Sequence, residues 1–303
     1  MLPLPASNAI DAALLRTWPL PVPDGGDKNA RGSIFVVAGA PQMPGAAILC
    51  ATATLRAGAG KLQIGTCASV AAHVATAVPE SLVVALDETP SGAMALASAA
   101  TIVERANACD ALVIGPGLVD QRASARLIAA VARDLDVPAV IDAAALACFS
   151  HDADAIARLG GRAVLTPHAG ELARMLSCER DAVEADAASF AIEAARRFKA
   201  VVALKGETTH IAEPNGTLYR NEHGNVGLAT SGSGDVLAGV IGGLLARGAE
   251  PLVAAAWGVY LHARAGDALA KRIGFGFLAR ELSAEIPKLM GDPSTPEPVE
   301  GSG

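Results

Sequence analysis

The chain has 303 residues, of which 51% are hydrophobic and 18% charged. That composition supports a large buried core and excludes a disordered protein. Its 24 basic and 31 acidic side chains leave a net charge of −7, and aromatic residues make up only 3%. A surface of that kind disfavours nucleic acid and anionic membranes as partners, although backbone amides can still build a local anion site.

The start, Met1-Leu2-Pro3-Leu4-Pro5, has neither a basic segment nor a continuous apolar one, so it does not read as a signal peptide. No uncharged apolar run reaches the roughly 18 residues of a membrane span. A cytoplasmic location is the expectation. Pro19–Asp24 is proline-rich and reads as extended. Short apolar runs then recur at Ser33–Gly39, Lys61–Thr66, Leu82–Leu86, Ala111–Gly115, Ala139–Asp142, Ala163–Thr166 and Ala200–Lys205. Alanine-rich stretches of helical character lie between many of them, among them Gly45–Ala57, Gln121–Leu135 and Ala182–Phe198. Continuous apolar strands alternating with helices predict βαβ units and a parallel sheet covered on both faces. His210–Glu213 and Thr217–Asn221 flank Pro214-Asn215-Gly216, which predicts a β-hairpin. Three helices follow, at about Asp235–Arg247, Pro251–Lys271 and Gly276–Met290. No break in composition divides the chain, so residues 1–290 are expected to form a single α/β domain. Gly291–Gly303 is polar and rich in proline and glycine, and is expected to be disordered.

The five cysteines, Cys50, Cys67, Cys109, Cys148 and Cys178, are scattered singly, with no CxxC pair. They read as small hydrophobes, not as a disulfide framework or a zinc site. In open parallel sheets ligands bind beyond the carboxyl ends of the strands. The residues placed there are Gly39-Ala40-Pro41, Gly115-Pro116-Gly117, Asp142, Thr166-Pro167-His168 and Lys205-Gly206-Glu207-Thr208-Thr209. Each alone is explained by a turn; together they mark a candidate site. Lys205 reads equally as an exposed strand end or as a point charge for phosphate.

The sharpest segment runs from Gly224 to Leu237, where small residues lead straight into a helix. Val236, Leu237, Val240, Ile241, Leu244 and Leu245 give that helix an apolar face. Free N–H groups at its start suit a phosphate, and glycine lets the anion approach. Asp235 is either a cap of this helix or a carboxylate aimed at a substrate hydroxyl. Other nucleotide signatures fail. Gly60-Lys61 is followed by Leu62, not by Ser or Thr, and Leu237 stands where a GxGxxG motif needs its third glycine. His168 and Glu171 follow a strand end. The first reads as a loop histidine or a ligand contact, the second as a residue stabilising its own helix or an active-site group. The remaining histidines read as structural or solvated, and no two have metal-ligand spacing.

These pieces, taken together, resemble a known family. They are Lys28…Arg31-Gly32 before the first strand, Pro44-Gly45-Ala46-Ala47, Arg56-Ala57-Gly58-Ala59-Gly60 and Gly115-Pro116-Gly117-Leu118. Further along come Leu165-Thr166-Pro167-His168-x-Gly170-Glu171, Leu204-Lys205-Gly206 and Gly224-Asn225-x-Gly227-x-Ala229-Thr230-x-Gly232-x-Gly234-Asp235-Val236-Leu237. The pattern, from about Lys28 to Glu285, resembles the ADP-dependent (S)-NAD(P)H-hydrate dehydratases, carbohydrate-kinase-like members of the ribokinase-like superfamily. Two departures stand out. Ser231 and Ser233 replace the first Gly and the Thr of the family's Gly-Gly-Thr-Gly-Asp, and Ala144 replaces the second Asp of Asp-Ala-Asp-Ala-Leu.

The resemblance implies a ribokinase-like three-layer sandwich, with a mostly parallel central sheet between helices. It implies dehydration of NADH or NADPH hydrate with ADP (or ATP) and Mg²⁺, which restores the normal cofactor. By position, Ala46, Gly117, His168 and Asp235 would contact the hydrate, with Asp235 catalytic. Lys205, Gly206, Glu207, Thr208, Thr209 and Gly234 would hold the adenine nucleotide, and Glu171 would organise magnesium through water. A homo-oligomer, a tetramer by resemblance, and a separate epimerase supplying the other epimer are also implied. A small-molecule kinase of the same fold and a non-catalytic nucleotide sensor remain the competing readings at this point.

Overall fold

Val, Ile and Leu dominate the short apolar runs, and β-branched side chains suit a pleated strand. The computed structural model describes residues 7–22, 28–150 and 153–291. Among them the strands are β1 (Asn8–Ala9), β2 (Ser33–Val37), β3 (Lys61–Cys67), β4 (Ser81–Leu86), β5 (Ala111–Ile114), β6 (Ala139–Ile141), β7 (Ala163–Leu165), β8 (Val201–Leu204), β9 (Thr209–Ala212) and β10 (Leu218–Asn221). They form one sheet in the order β1-β10-β9-β8-β7-β6-β5-β2-β3-β4. Only the β8–β9 and β9–β10 pairs are antiparallel. Every strand expected from the sequence is present, including the hairpin, and β1 is an addition.

The helices are α1 (Ala12–Thr17), α2 (Pro44–Arg56), α3 (Ala71–Ala77), α4 (Ala99–Asn107), α5 (Gln121–Arg133), α6 (Ala153–Ala157), α7 (Ala169–Leu176), α8 (Arg180–Ala185), α9 (Ala187–Phe198), α10 (Ser233–Ala246), α11 (Pro251–Ile273) and α12 (Ala279–Leu289). Side chains alternate across each strand. Ile34, Val36, Val113, Val140 and Val164 pack on one side against α2, α10, α11 and α12. Phe35, Val37, Leu112, Ile114 and Leu165 pack on the other against α4, α5, α7 and α9. The three layers and the helices on both faces follow from the central strands β5 to β8, which are apolar at every position.

Three expectations need correction. The stretch Ala182–Phe198 is two helices, because Asp186 leaves helical geometry (φ −144°) and its carboxylate accepts from the Ser189 N–H at 3.2 Å. The last helix begins at Ala279, not Gly276. Leu278 is extended there, and the Glu281 carboxylate accepts its N–H at 2.7 Å. Helix α10 begins at Ser233, two residues earlier than expected. Pro23, Asp24, His151 and the tail from residue 292 lie outside the described residues. Among the described residues, no helix is long and apolar enough to cross a membrane. Cys50, Cys67 and Cys109 are buried free thiols, whereas Cys178 is only half-buried.

Helices α2 and α10 touch backbone to backbone. A Cβ on Gly239 would lie 2.2 Å from the Cys50 carbonyl oxygen, and one on Gly243 would lie 2.4 Å from that of Thr54. The Thr54 hydroxyl donates to the Gly239 carbonyl at 3.1 Å. Because Cys50 meets Gly239 and Thr54 meets Gly243, the two helices run parallel, with both amino termini at one end. Gly239→Ala must push them apart and is expected to cost about 1–3 kcal/mol in urea denaturation. Gly45→Ala, with nothing within 4 Å of the new methyl, is the control and should not destabilise.

Candidate active site

The carboxyl ends of β8, β7, β6, β5 and β2 lie side by side, and the residues just beyond them converge. Gly117 packs on the first turn of α2, where its Cβ would sit 2.5 Å from that of Ala46. The sheet and α2 thus bring Ala46 and Gly117 together. Beyond β8, Lys205 continues the parallel ladder, its N–H donating to the Pro167 carbonyl at 2.8 Å. This sets Lys205 beside His168.

Lys205 is not a free strand-end cation. Its ammonium lies 3.0 Å from Asp142 Oδ1 and 3.9 Å from Glu171 Oε2. The Asp142 side chain is only 2% exposed and also accepts from the Thr166 hydroxyl at 2.7 Å. Burial pulls the Lys205 pKa down, but Asp142 and Glu171 outweigh it, so the pKa ends above the ordinary lysine value. The ammonium is therefore permanent at neutral pH.

Helix α10 opens against this pair. A Cβ on Gly234 would stand 3.5 Å from Lys205 Nζ and 3.9 Å from Asp142 Oδ2, so glycine keeps that approach clear. The N-cap is Gly232, whose φ of +88° turns the loop into the helix, and no side chain caps it. Asp235 is thus not the cap of α10. It lies in the first turn, and its carboxylate accepts no hydrogen bond among the described residues. The Ser233 N–H donates to the Thr230 carbonyl and that of Val236 to the Gly232 carbonyl. Between them, the N–H groups of Gly234 and Asp235 have no partner among the described residues. Two open donors at a helix start, next to a fixed ammonium, form an anion site.

Burial and then repulsion from Asp142 push the Asp235 carboxyl up to about 6, with Lys205 opposing them. A group with that pKa can exchange a proton near neutrality. The same carboxylates and burial keep the Cys50 thiol protonated.

His168 and Glu171 form the capping box of α7. The His168 Nδ1 accepts from the N–H groups of Gly170 (3.0 Å) and Glu171 (3.3 Å). In return Glu171 Oε2 accepts from the His168 N–H at 2.9 Å. The helix-stabilising reading of Glu171 therefore holds, and it is joined by proximity to Lys205. An accepting Nδ1 fixes the proton on Nε2, and the side chain is 55% exposed. Burial holds the imidazole below its ordinary pKa, with Glu171 raising it and Lys205 lowering it. His168 is thus a neutral ring offering an N–H donor at the edge of the site.

Residues Lys205 to Thr208 form the turn between β8 and β9, and Thr209 opens β9; Gly206 and Glu207 are exposed there, and Thr208 and Thr209 are half-buried. Among the described residues, no group of three or more His, Cys, Asp or Glu could hold a metal ion. The larger grooves, of about 520 and 600 Å³, lie away from this cluster and carry none of its groups. The sequence puts Asp142 at a strand end, but nothing in it pairs Asp142 with Lys205, 63 residues away. Asp267, too, is unmarked in the sequence; it accepts from the Gly224 N–H at 3.2 Å and Asn225 Nδ2 at 3.1 Å. No local signal marks that contact.

Known proteins resemble this chain in sequence and in fold. The family model described as NAD(P)H-hydrate dehydratase matches residues 34–288. The chain is 45% identical, over 94% of its length and 97% of the relative's, to the ADP-dependent (S)-NAD(P)H-hydrate dehydratase of Xanthomonas campestris. It is similar to the structure of the ADP/ATP-dependent NAD(P)H-hydrate dehydratase of Bacillus subtilis co-crystallized with ATP/Mg²⁺ (TM-score 0.79, 30% identity, 93% and 97% of the two chains). It is also similar to a ribokinase-like superfamily protein of Enterococcus faecalis (TM-score 0.80, 26% identity, 98% and 99% covered). The order of strands and helices, the matched residues and the extent of identity lead to one conclusion: the chain belongs to the NAD(P)H-hydrate dehydratase family and has its ribokinase-like fold.

Proposed function

We propose that the protein carries out the ADP-dependent dehydration of the S epimer of NADH or NADPH hydrate, restoring NAD(P)H. The observation that carries this reading is the start of α10, where open amides, a fixed ammonium and a carboxylate of pKa about 6 share one corner. Gly234, with Lys205, Gly206, Glu207, Thr208 and Thr209, holds the adenine nucleotide. Ala46, Gly117, His168 and Asp235 contact the hydrate. The nucleotide supplies the phosphate chemistry that turns a poor leaving oxygen into a better one. Asp235 accepts the proton of the substrate hydroxyl as its oxygen takes a phosphoryl group from ADP and AMP leaves; phosphate then departs as the carbon–oxygen bond breaks and the adjacent carbon loses a proton, while the amides of Gly234 and Asp235 hold the negative charge on phosphate. His168 donates its Nε2–H to the substrate.

The described side chains do not by themselves form a metal site. Magnesium arrives with the nucleotide. Residues 1–290 acting as one unit, a homo-oligomeric assembly, a separate epimerase and a cytoplasmic location belong to the same proposal.

Purified protein incubated with the hydrate, Mg²⁺ and ADP should regain the absorbance of the reduced nicotinamide. A small-molecule kinase would need ATP and yield a stable phosphorylated product; a sensor would bind ADP without turnover. Because Asp235 must be ionised to accept a proton, kcat/KM should rise with pH through about 6 and level off above it. The acid limb should persist in His168→Asn. A limb near the ordinary carboxylate value of 3.8 would remove Asp235 from the base role.

A further inference from the structure

Helix α11 is the floor on which the glycine-rich loop rests. A Cβ on Gly266 would lie 2.7 Å from Leu228 Cδ2, so the loop lies directly on the helix. Asp267 holds the beginning of the loop through Gly224 and Asn225. One turn earlier, His262 holds its end. The His262 Nε2 lies 3.0 Å from both the Ser233 hydroxyl and the Ser233 carbonyl oxygen.

A carbonyl oxygen can only accept, so Nε2 must carry the proton of this ring. Burial pushes the His262 pKa down to about 4, although the bond to Ser233 opposes it; the ring is neutral at working pH. The Ser233 carbonyl and the Gly234 N–H belong to one peptide group. That group is planar and trans, so the two bonds point in opposite directions. Fixing the carbonyl therefore aims the amide, and a hydrogen bond at the carbonyl also strengthens the amide as a donor.

We propose that His262 is a positioning residue for the phosphate site: its Nε2–H, bonded to the Ser233 carbonyl, orients the Gly234 N–H toward the nucleotide phosphate. The proposal rests on reading the start of α10 as that site. It gives a buried histidine, 29 residues from Ser233 in sequence, a part in nucleotide binding without contact to any substrate.

The test measures ADP affinity by calorimetry, and KM for ADP, in the wild type and in His262→Asn, His262→Gln and Ser233→Ala. A glutamine amide reaches the place of Nε2; an asparagine amide does not. His262→Asn should weaken ADP binding about tenfold, and His262→Gln should recover most of the loss. Ser233→Ala keeps the carbonyl and should lose less than His262→Asn. In the wild type, ¹⁵N NMR should place the His262 proton on Nε2, a result independent of whether any variant folds. A proton on Nδ1, unchanged ADP binding in His262→Asn, or a Ser233→Ala loss as large as that of His262→Asn would overturn the proposal. A wild type that does not bind ADP would instead overturn the underlying site.

Discussion

Asp235→Asn is expected to lower turnover by about 10²–10⁴-fold and, at the same time, to stabilise the folded protein at neutral pH. The amide cannot take a proton, so the chemical step loses its acceptor, while the open amides of α10 still hold the nucleotide. The stability gain comes from the carboxyl's own titration. Its pKa is about 6 in the fold against an ordinary 3.8. The folded state therefore binds the proton more tightly than the unfolded chain does. Stability is lost as pH rises from about 4 to about 6, and the full penalty persists above that. Asparagine carries no such penalty. Discounted for partial exposure to solvent, the gain should be about 1 kcal/mol, or about 2 °C in Tm at pH 7. It should fade as the pH is lowered toward 4. Calorimetric melts at pH 7 and pH 4 beside a turnover assay read both effects. A variant that loses activity and stability together would make Asp235 a structural residue.

Lys205→Met is expected to produce the largest loss of stability. Asp142 is 2% exposed, and Lys205 is its ion-pair partner among the described residues. Removing the cation leaves a buried carboxylate with, among the described residues, only the Thr166 hydroxyl to meet it. Breaking a buried pair from one side costs about 3–5 kcal/mol, a sizeable part of the roughly 5–15 kcal/mol that holds a domain together. Urea denaturation of Lys205→Met, Asp142→Asn and the double variant separates the contributions. The double variant should be more stable than Lys205→Met, because neither charge remains to be buried alone. It should still bind ADP poorly, since the ammonium beside Gly234 is gone. A Lys205→Met protein as stable as the wild type would mean that the pair contributes nothing to the fold.

The sequence made some of this architecture plain and hid the rest for physical reasons. Strands such as Ser33–Val37 and Val201–Leu204 are legible because burial on both faces leaves no room for polar residues. The approach to α10 is legible because a chain that must turn tightly and admit an anion is built from small residues. Local competition is harder to read. Asp186 breaks a continuous helical pattern by capping the next helix, and Asp235 looks like a cap until Gly232 is seen to end the loop earlier. Contacts between distant segments are harder still. Asp142 and Lys205, Ser233 and His262, and Gly224 and Asp267 are joined only when the sheet and α11 are assembled. No spacing in the chain announces them.

The parallel contact between α2 and α10 has an energetic side. Each helix carries a partial positive charge of about half a unit at its amino terminus, and the fold sets the two like ends together. Mutual repulsion there is a standing cost to the empty protein. A polyanion seated at that corner removes it, so ligand occupancy and resistance to heat are coupled. At a free nucleotide concentration of 100 times Kd, occupancy alone adds about 2.7 kcal/mol. If the proposed function holds, added ADP should therefore raise the melting temperature of the protein.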